Sequence, residues 1–244
     1  SVDTSGADFM VTASAIESEI SDKTKAIILS YPNNPTGQSI DFDELKKIAA
    51  IAKARDCLII TDEIYADLSF DKFQSIATIE SIKDQLVYLN GFSKAHSMTG
   101  WRVGYVCAPS EFIDEINKIH QYSALCAPTV SQYAAIEACQ SSQADVDRMC
   151  QSYLERAQYF TRQMNQIGLA TLMPKGGLYC FTSIQSLGVS SLDFSQRLVT
   201  DQQVAVVPGH VFGDCGEGYI RACIATDFDQ LEIATERIQA FVES

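Results

Sequence analysis

Short apolar runs alternate with helical spacing along the first half of the chain. Ala26–Ser30 reads AIILS, a continuous apolar run with the length of a buried strand. Residues 31–37 are rich in turn formers. From Asp41 onward, Leu45, Ile48, Ala49 and Ala52 share one helical face, and the pattern predicts a helix to about Arg55. Asp41 with Glu44 three residues on has the form of a capping box. Residues 57–60 are the next strand, ending at Thr61, Asp62 and Glu63. This strand–helix–strand unit takes a right-handed crossover. Residues 86–89 and 103–108 read as a third and a fourth strand. Strands joined by helices predict an α/β class with a parallel sheet.

The second half has another rhythm. Residues 148–167 form a long amphipathic helix with Met149, Tyr153, Ala157, Phe160, Met164 and Ile167 on one stripe, and Gly168 is placed to end it. Strand-like runs follow at 178–182, 204–207 and 219–225, with two helices; the last puts Leu231, Ala234, Ile238 and Phe241 on one face. The pattern predicts a large parallel-strand α/β domain over residues 1–145 and a smaller α+β domain over 146–244, divided by the 148–167 helix.

Composition narrows the function classes. At 46% hydrophobic and 20% charged residues the chain is ordinary globular material. No stretch approaches the ~18–20 apolar residues of a membrane span, and the first residues lack a signal-peptide pattern. A net charge of -13 disfavours nucleic acid, which needs a basic surface. A cytoplasmic protein is the expectation. The 8 cysteines form no C-x-x-C pair, and no His stands at zinc-finger spacing, so no metal site is expected. Several, such as Cys107 and Cys180, sit in apolar runs, which predicts buried thiols in a reducing compartment.

Open α/β sheets bind ligands at the carboxyl ends of their strands. Here those ends carry chemistry. The first strand leads into Pro32-Asn33-Asn34-Pro35-Thr36-Gly37, the second ends at Asp62 with Tyr65 after it, and the third leads into Gly91-Phe92-Ser93-Lys94. An amide, a carboxylate, a phenol and a lysine are expected to meet in one crevice, and Arg102 follows eight residues after Lys94. Each has a plain reading too: Lys94 as a surface lysine, Asp62 as a helix cap, Tyr65 as packing, Arg102 as a surface ion pair. Asn33 reads as a turn residue, and His96, His120 and His210 as structural or peripheral. The glycine-rich 213–218 run lacks the strand-to-helix setting of a dinucleotide fingerprint.

Three motifs in order, PNNPTG at 32–37, DEIY at 62–65 and GFSKAHSMTGWRVG at 91–104, with PGHVFGDCGEGYIRACIA at 208–225, resemble the class I/II aminotransferases of the aspartate aminotransferase family. The resemblance implies fold type I and pyridoxal 5'-phosphate (PLP) as cofactor. It implies that Lys94 forms the Schiff base and moves the substrate α-proton, and that Asp62 keeps the pyridine nitrogen protonated. Tyr65 and Asn34 would bond the ring oxygen, Arg102 the phosphate, and Ser93 lies beside the lysine in the cofactor site. Arg221 would grip the α-carboxylate of the substrate. The implied reaction moves an amino group between an amino acid and a 2-oxo acid, with aspartate or an aromatic amino acid as substrate and a homodimer as the working unit.

The resemblance also implies roughly 150 residues ahead of this chain, one domain's worth. They would supply three strands of the large sheet, a phosphate-holding helix N-terminus, an aromatic ring over the cofactor and a tyrosine reaching across the dimer. With that segment missing, the large domain is expected to be truncated and the chain inactive alone; Gly91 stands three before the lysine, where many relatives place a phosphate-binding serine, which removes a second phosphate contact. A C–S lyase or carboxycyclopropane-forming synthase of the same fold, a PLP-sensing transcription regulator and a non-catalytic scaffold remain as alternatives.

Overall fold

The structure, a computed structural model, describes residues 1–244. The chain forms two compact units. The first is made of Ser1–Val2, Met10–Pro32 and Ser39–Cys150; the second of Asp3–Phe9, Asn33–Gln38 and Gln151–Ser244.

The first unit is built on a 4-stranded sheet in sequential order, β1 (Ala26–Ser30), β2 (Leu58–Asp62), β3 (Leu86–Gly91) and β4 (Gly104–Cys107). The first three strands run parallel, as the crossover pattern requires, but β4 is antiparallel to β3. Between them the chain folds back with no α-helix, and Phe92 N donates to Val103 O at 3.4 Å, so a parallel return is unavailable.

Helix α1 (Ala13–Glu19) precedes β1, and α2 (Phe42–Ala54) covers one sheet face. Leu45, Ile48, Ala49 and Ala52 of α2 join Ile27, Leu29 and Ile59 in one core. Each fully buried aliphatic side chain contributes roughly 1.5–3 kcal/mol. On the opposite face Ile28 is 74% exposed, so β1 is covered on one side only, not buried as its apolar run suggested.

Asp41 caps α2 by accepting from Asp43 N at 2.8 Å. Glu44 does not complete a capping box. One of its oxygens accepts from Ala13 N at 2.7 Å and the other pairs with Lys47 at 2.7 Å, tying α1 to α2. Helices α3 (Ser110–Ser123) and α4 (Thr129–Ser141) follow β4, and α3 buries none of its residues. Their Ile119, Tyr122 and Tyr133 are exposed. The long helix α5 runs Gln143–Gln166 and gives its first two turns to this unit.

In the second unit, β5 (Tyr179–Ser183), β7 (Tyr219–Cys223) and β6 (Val207–Pro208) make a 3-stranded antiparallel sheet with β7 central. Helices α6 (Ser191–Gln202) and α7 (Phe228–Val242) pack on each other and, with the rest of α5, bury Phe160, Met164, Phe194, Leu198, Leu231 and Ile238. Gly168 ends α5 with φ 81°, a conformation that favours glycine. The run at 204–207 is mostly loop, because Gln203 leaves α6 in a left-handed conformation and pairing with β7 begins at Val207.

Two N-terminal segments belong to this unit. Phe9 sets its ring 5.2 Å from Phe181 and 5.0 Å from Tyr219. Gln38 Nε2 donates to Met173 O at 3.2 Å, and Lys175 N donates to Gly37 O at 2.7 Å.

The cysteines divide. Cys57 and Cys180 are buried and Cys150 half-buried, but Cys107, Cys126, Cys139, Cys215 and Cys223 are exposed, and all are unpaired. Cys107 has apolar neighbours in sequence but lies on β4, at the edge of the sheet in this chain, and is exposed. No helix is long and apolar enough to cross a membrane.

Candidate functional site

The candidate residues of the first unit sit at the carboxyl ends of β2 and β3. Asp62 is the last residue of β2, in register with Ser30 on one side and Leu89 on the other. Its Oδ1 accepts from Ile64 N at 3.1 Å, an Asx-type turn that aims the chain into Tyr65. Glu63 N donates to Leu89 O at 3.0 Å, so the ladder to β3 continues past the strand and fixes the turn. Tyr65 is buried.

Lys94 lies on the turn after β3, with Lys94 O accepting from Ser97 N at 3.1 Å. Its Nζ stands 5.7 Å from the centre of the Tyr65 ring. The structure thus brings the amine to the phenol residue, and places both beside the strand that ends in Asp62. Ser93 adds a half-buried hydroxyl next to Lys94.

The loop returns through a 3-10 turn, Thr99–Trp101, to Arg102. Arg102 has φ 54°, in the left-handed region that an L-residue occupies at a cost of about 1–2 kcal/mol. Its Nη1 donates to Thr99 O at 2.9 Å, and the residue is exposed. Ser97 is likewise left-handed, with φ 53°. Two such residues within one short loop mark a segment whose shape is imposed by its surroundings. His96 supplies part of that hold: its Nδ1 is 2.9 Å from Ser142 Oγ, a structural bond.

The second unit holds the other two candidates. Arg221 is central on β7, opposite Phe181 of β5 and Val207 of β6. Its Nη1 donates to Asn34 Oδ1 at 2.7 Å. The guanidinium carbon lies 4.3 Å from the Tyr179 ring and 4.9 Å from the Phe212 ring, a cation held against two π faces. Its Nε is buried and has no hydrogen-bond partner. A guanidinium acceptor-starved on one edge suits a carboxylate ligand. Because a guanidinium only donates, the Asn34 oxygen is taken and its NH2 group is the part left to donate. Asn33 Oδ1 accepts from Thr36 N at 3.3 Å and from Thr36 Oγ1 at 3.0 Å, the turn role its neighbours suggested.

Two kinds of residue escaped sequence reasoning. Tyr179 and Phe212 flank Arg221 but come from separate stretches, so only strand register reveals them. Glu63, between Asp62 and Tyr65, is 3% exposed. Its Oε1 accepts from Ile76 N at 3.3 Å and from Thr61 Oγ1 at 3.4 Å, while Oε2 has no partner. Burial pushes its carboxyl above the usual range. Set beside Thr61 and Asp62 at a polar strand end, Glu63 carries no sequence signal that marks it as buried.

Comparison with known proteins gives one answer. The family model described as "Aminotransferase class I and II" matches residues 2–238. A Bacillus subtilis protein named as an aminotransferase, YugH, is 46% identical over 235 residues, covering 96% of this chain and 61% of its own. The aspartate aminotransferase of Pyrococcus abyssi is 37% identical over 236 residues, covering 95% of this chain and 61% of its own. Among solved structures, the aromatic aminotransferase of Pyrococcus horikoshii OT3 superposes with a TM-score of 0.93 at 37% identity, over 97% of this chain and 64% of that one. The chain therefore spans about 61% of the length of the curated relatives it matches.

Proposed function

The chain belongs to the class I and II aminotransferases, and on that premise we propose that the whole protein moves an amino group between an amino acid and a 2-oxo acid with the help of PLP. The donor set of the first unit fits that cofactor: an amine, a buried phenol, a carboxylate at a strand end and an exposed guanidinium, one for each polar feature of the molecule. When bound, PLP supplies an electrophilic carbon for amines and a pyridine ring that takes up electron density.

In this reading Lys94 Nζ would hold the cofactor and would be the base that moves the proton at the substrate Cα. The Asp62 carboxylate pairs with the protonated ring nitrogen. Tyr65 donates its phenol proton, and Asn34 its NH2, to the ring oxygen. Arg102 meets the phosphate, for which its planar fork is suited, with Ser93 beside it. Arg221 takes the α-carboxylate; the unpaired Nε supports this assignment. Aspartate or an aromatic amino acid is the proposed substrate, in keeping with the names of relatives.

The observation that carries the proposal is the approach of Lys94 Nζ to the Tyr65 ring at the β3 end. A homodimer in the cytoplasm completes the reading. Unpaired thiols suit a reducing compartment, and the exposed apolar side chains of α3 and α4 suit coverage by a partner.

The test uses the complete protein with PLP. Borohydride reduction and peptide mass spectrometry are expected to put the label on Lys94, and Lys94→Ala to abolish transfer from an amino acid to 2-oxoglutarate. A label on another lysine, or full turnover by Lys94→Ala, would refute the assignment.

A further inference from the structure

The loop between β6 and β7 contains His210 and the 213–218 glycine-rich run, and the chemistry above uses neither. Glu217 lies at the N-terminus of α6, where its Oε1 accepts from Ser191 N at 2.8 Å and its Oε2 from Ser191 Oγ at 2.7 Å. Ser191 Oγ also lies 3.0 Å from His210 Nδ1. A serine hydroxyl has one proton, and here it goes to the carboxylate, so the oxygen accepts from Nδ1–H of the imidazole. The three side chains form a directed chain from His210 through Ser191 to Glu217.

Serine, histidine and a carboxylate together invite a hydrolase reading, which the geometry rejects. Ser191 is 0% exposed, and its proton points to Glu217, not to a base that could activate the oxygen. The chain is a tether. It holds the 3-10 turn Gly209–Phe212 to the start of α6. The turn is pinned again where Gly209 and Gly216 meet backbone to backbone: a Cβ on Gly209 would lie 2.6 Å from Tyr219 O. The last residue of this turn is Phe212, whose ring lies against the Arg221 guanidinium.

We propose that His210, Ser191 and Glu217 are positioning residues: a latch that keeps Phe212 on the Arg221 guanidinium and so aims it at the α-carboxylate of the substrate. The inference rests on the proposed role of Arg221. An arginine side chain has many rotamers, and it binds a carboxylate well only where its fork is already oriented. Three groups orient this one: Asn34 at the Nη1 end, Tyr179 and Phe212. Tyr179 is in β5, and Asn34 stands on a turn closed by its own bonds, from Thr36 to Asn33 Oδ1 and from Gly37 N to Asn33 O; the Phe212 loop is the one that Ser191 and Glu217 tie down. The bonds from the Ser191 hydroxyl and backbone N–H hold the Glu217 carboxyl below its usual range.

The experiment compares Glu217→Gln, Ser191→Ala and Arg221→Lys in the complete protein with PLP. It measures KM and kcat for the amino acid that the protein turns over. Calorimetry gives the dissociation constant of the α-methyl analogue of that amino acid, which has no α-proton to lose. Both latch variants are expected to raise KM and the dissociation constant about tenfold, with kcat within about threefold. If Glu217→Gln fails to fold, Ser191→Ala, which keeps the Glu217 bond to Ser191 N, carries the test. Arg221→Lys weakening the analogue while the latch variants stay within about twofold of wild type overturns the latch but not the role of Arg221. A fall in kcat at unchanged affinity overturns it as well. Unchanged affinity in Arg221→Lys removes the carboxylate role, and the latch with it.

Discussion

Glu63 offers a quantitative test of how the strand ends are held. Replacing it with alanine would leave the N–H of Ile76 and the hydroxyl of Thr61 without their acceptor, and both residues are buried, at 1% and 3% exposure. Each orphaned buried donor costs about 1–3 kcal/mol. The long bonds, 3.3 and 3.4 Å, favour the lower half, so Glu63→Ala is expected to lose about 2–4 kcal/mol. That is a large part of the roughly 5–15 kcal/mol that holds a domain together. Glu63→Gln keeps a carbonyl oxygen for both donors and removes the ionisation. The sign of the pH effect follows from burial, which raises the folded pKa above the usual 4.5. Below that value both folded and unfolded chains carry the proton and burial exacts nothing. As pH rises, the unfolded chain gives its proton up first, so wild type loses stability relative to Glu63→Gln until the folded pKa is passed. The slope is at most ~1.4 kcal/mol per pH unit. Urea unfolding followed by circular dichroism between pH 4 and 8 reads both quantities. Parallel pH profiles for wild type and Glu63→Gln, or a cost below ~1 kcal/mol for Glu63→Ala, would show that Glu63 is not the clamp described.

Two further outcomes are expected. Gly37→Ala places a methyl group on a backbone with φ 68°, against the Pro174 side chain and 2.8 Å from Tyr179 O, so it should destabilise by more than ~1 kcal/mol in the same unfolding assay. Iodoacetamide labelling of the native chain, mapped by mass spectrometry, should spare Cys57 and Cys180; burial excludes the reagent from both and pushes the Cys180 thiol up to about 12. Rapid native labelling of Cys180 would contradict its place in the core.

The legible parts of the sequence were those where local pattern and fold agree. The α2 helix was readable because its apolar face meets the sheet directly, and the strand ends because Asp62, Lys94 and their neighbours follow short apolar runs. The direction of β4 was not readable: a short strand after a loop has the same composition whichever way it pairs. Helix α3 escaped the sequence reading although Phe112, Ile113, Ile116 and Ile119 recur at helical spacing; none of its residues is buried. Glu44 fitted a capping pattern, yet Ala13 N, thirty-one residues away, claimed its carboxylate. Of the candidate site, residue types were visible and neighbours were not. The Tyr179 and Phe212 rings reach Arg221 only through the registers of β5 and β6 with β7 and through a loop held by Ser191.

The second unit is discontinuous in the gene, and this limits how it can be handled. A clone beginning at Gln151 would omit the Phe9 ring that abuts Phe181 and Tyr219, and the Gly37 carbonyl that receives Lys175 N. It would expose aromatic surface and leave that amide without its acceptor at once. Anyone wishing to graft this unit onto another scaffold must carry three separate pieces of chain, or splice them by permutation into a new order.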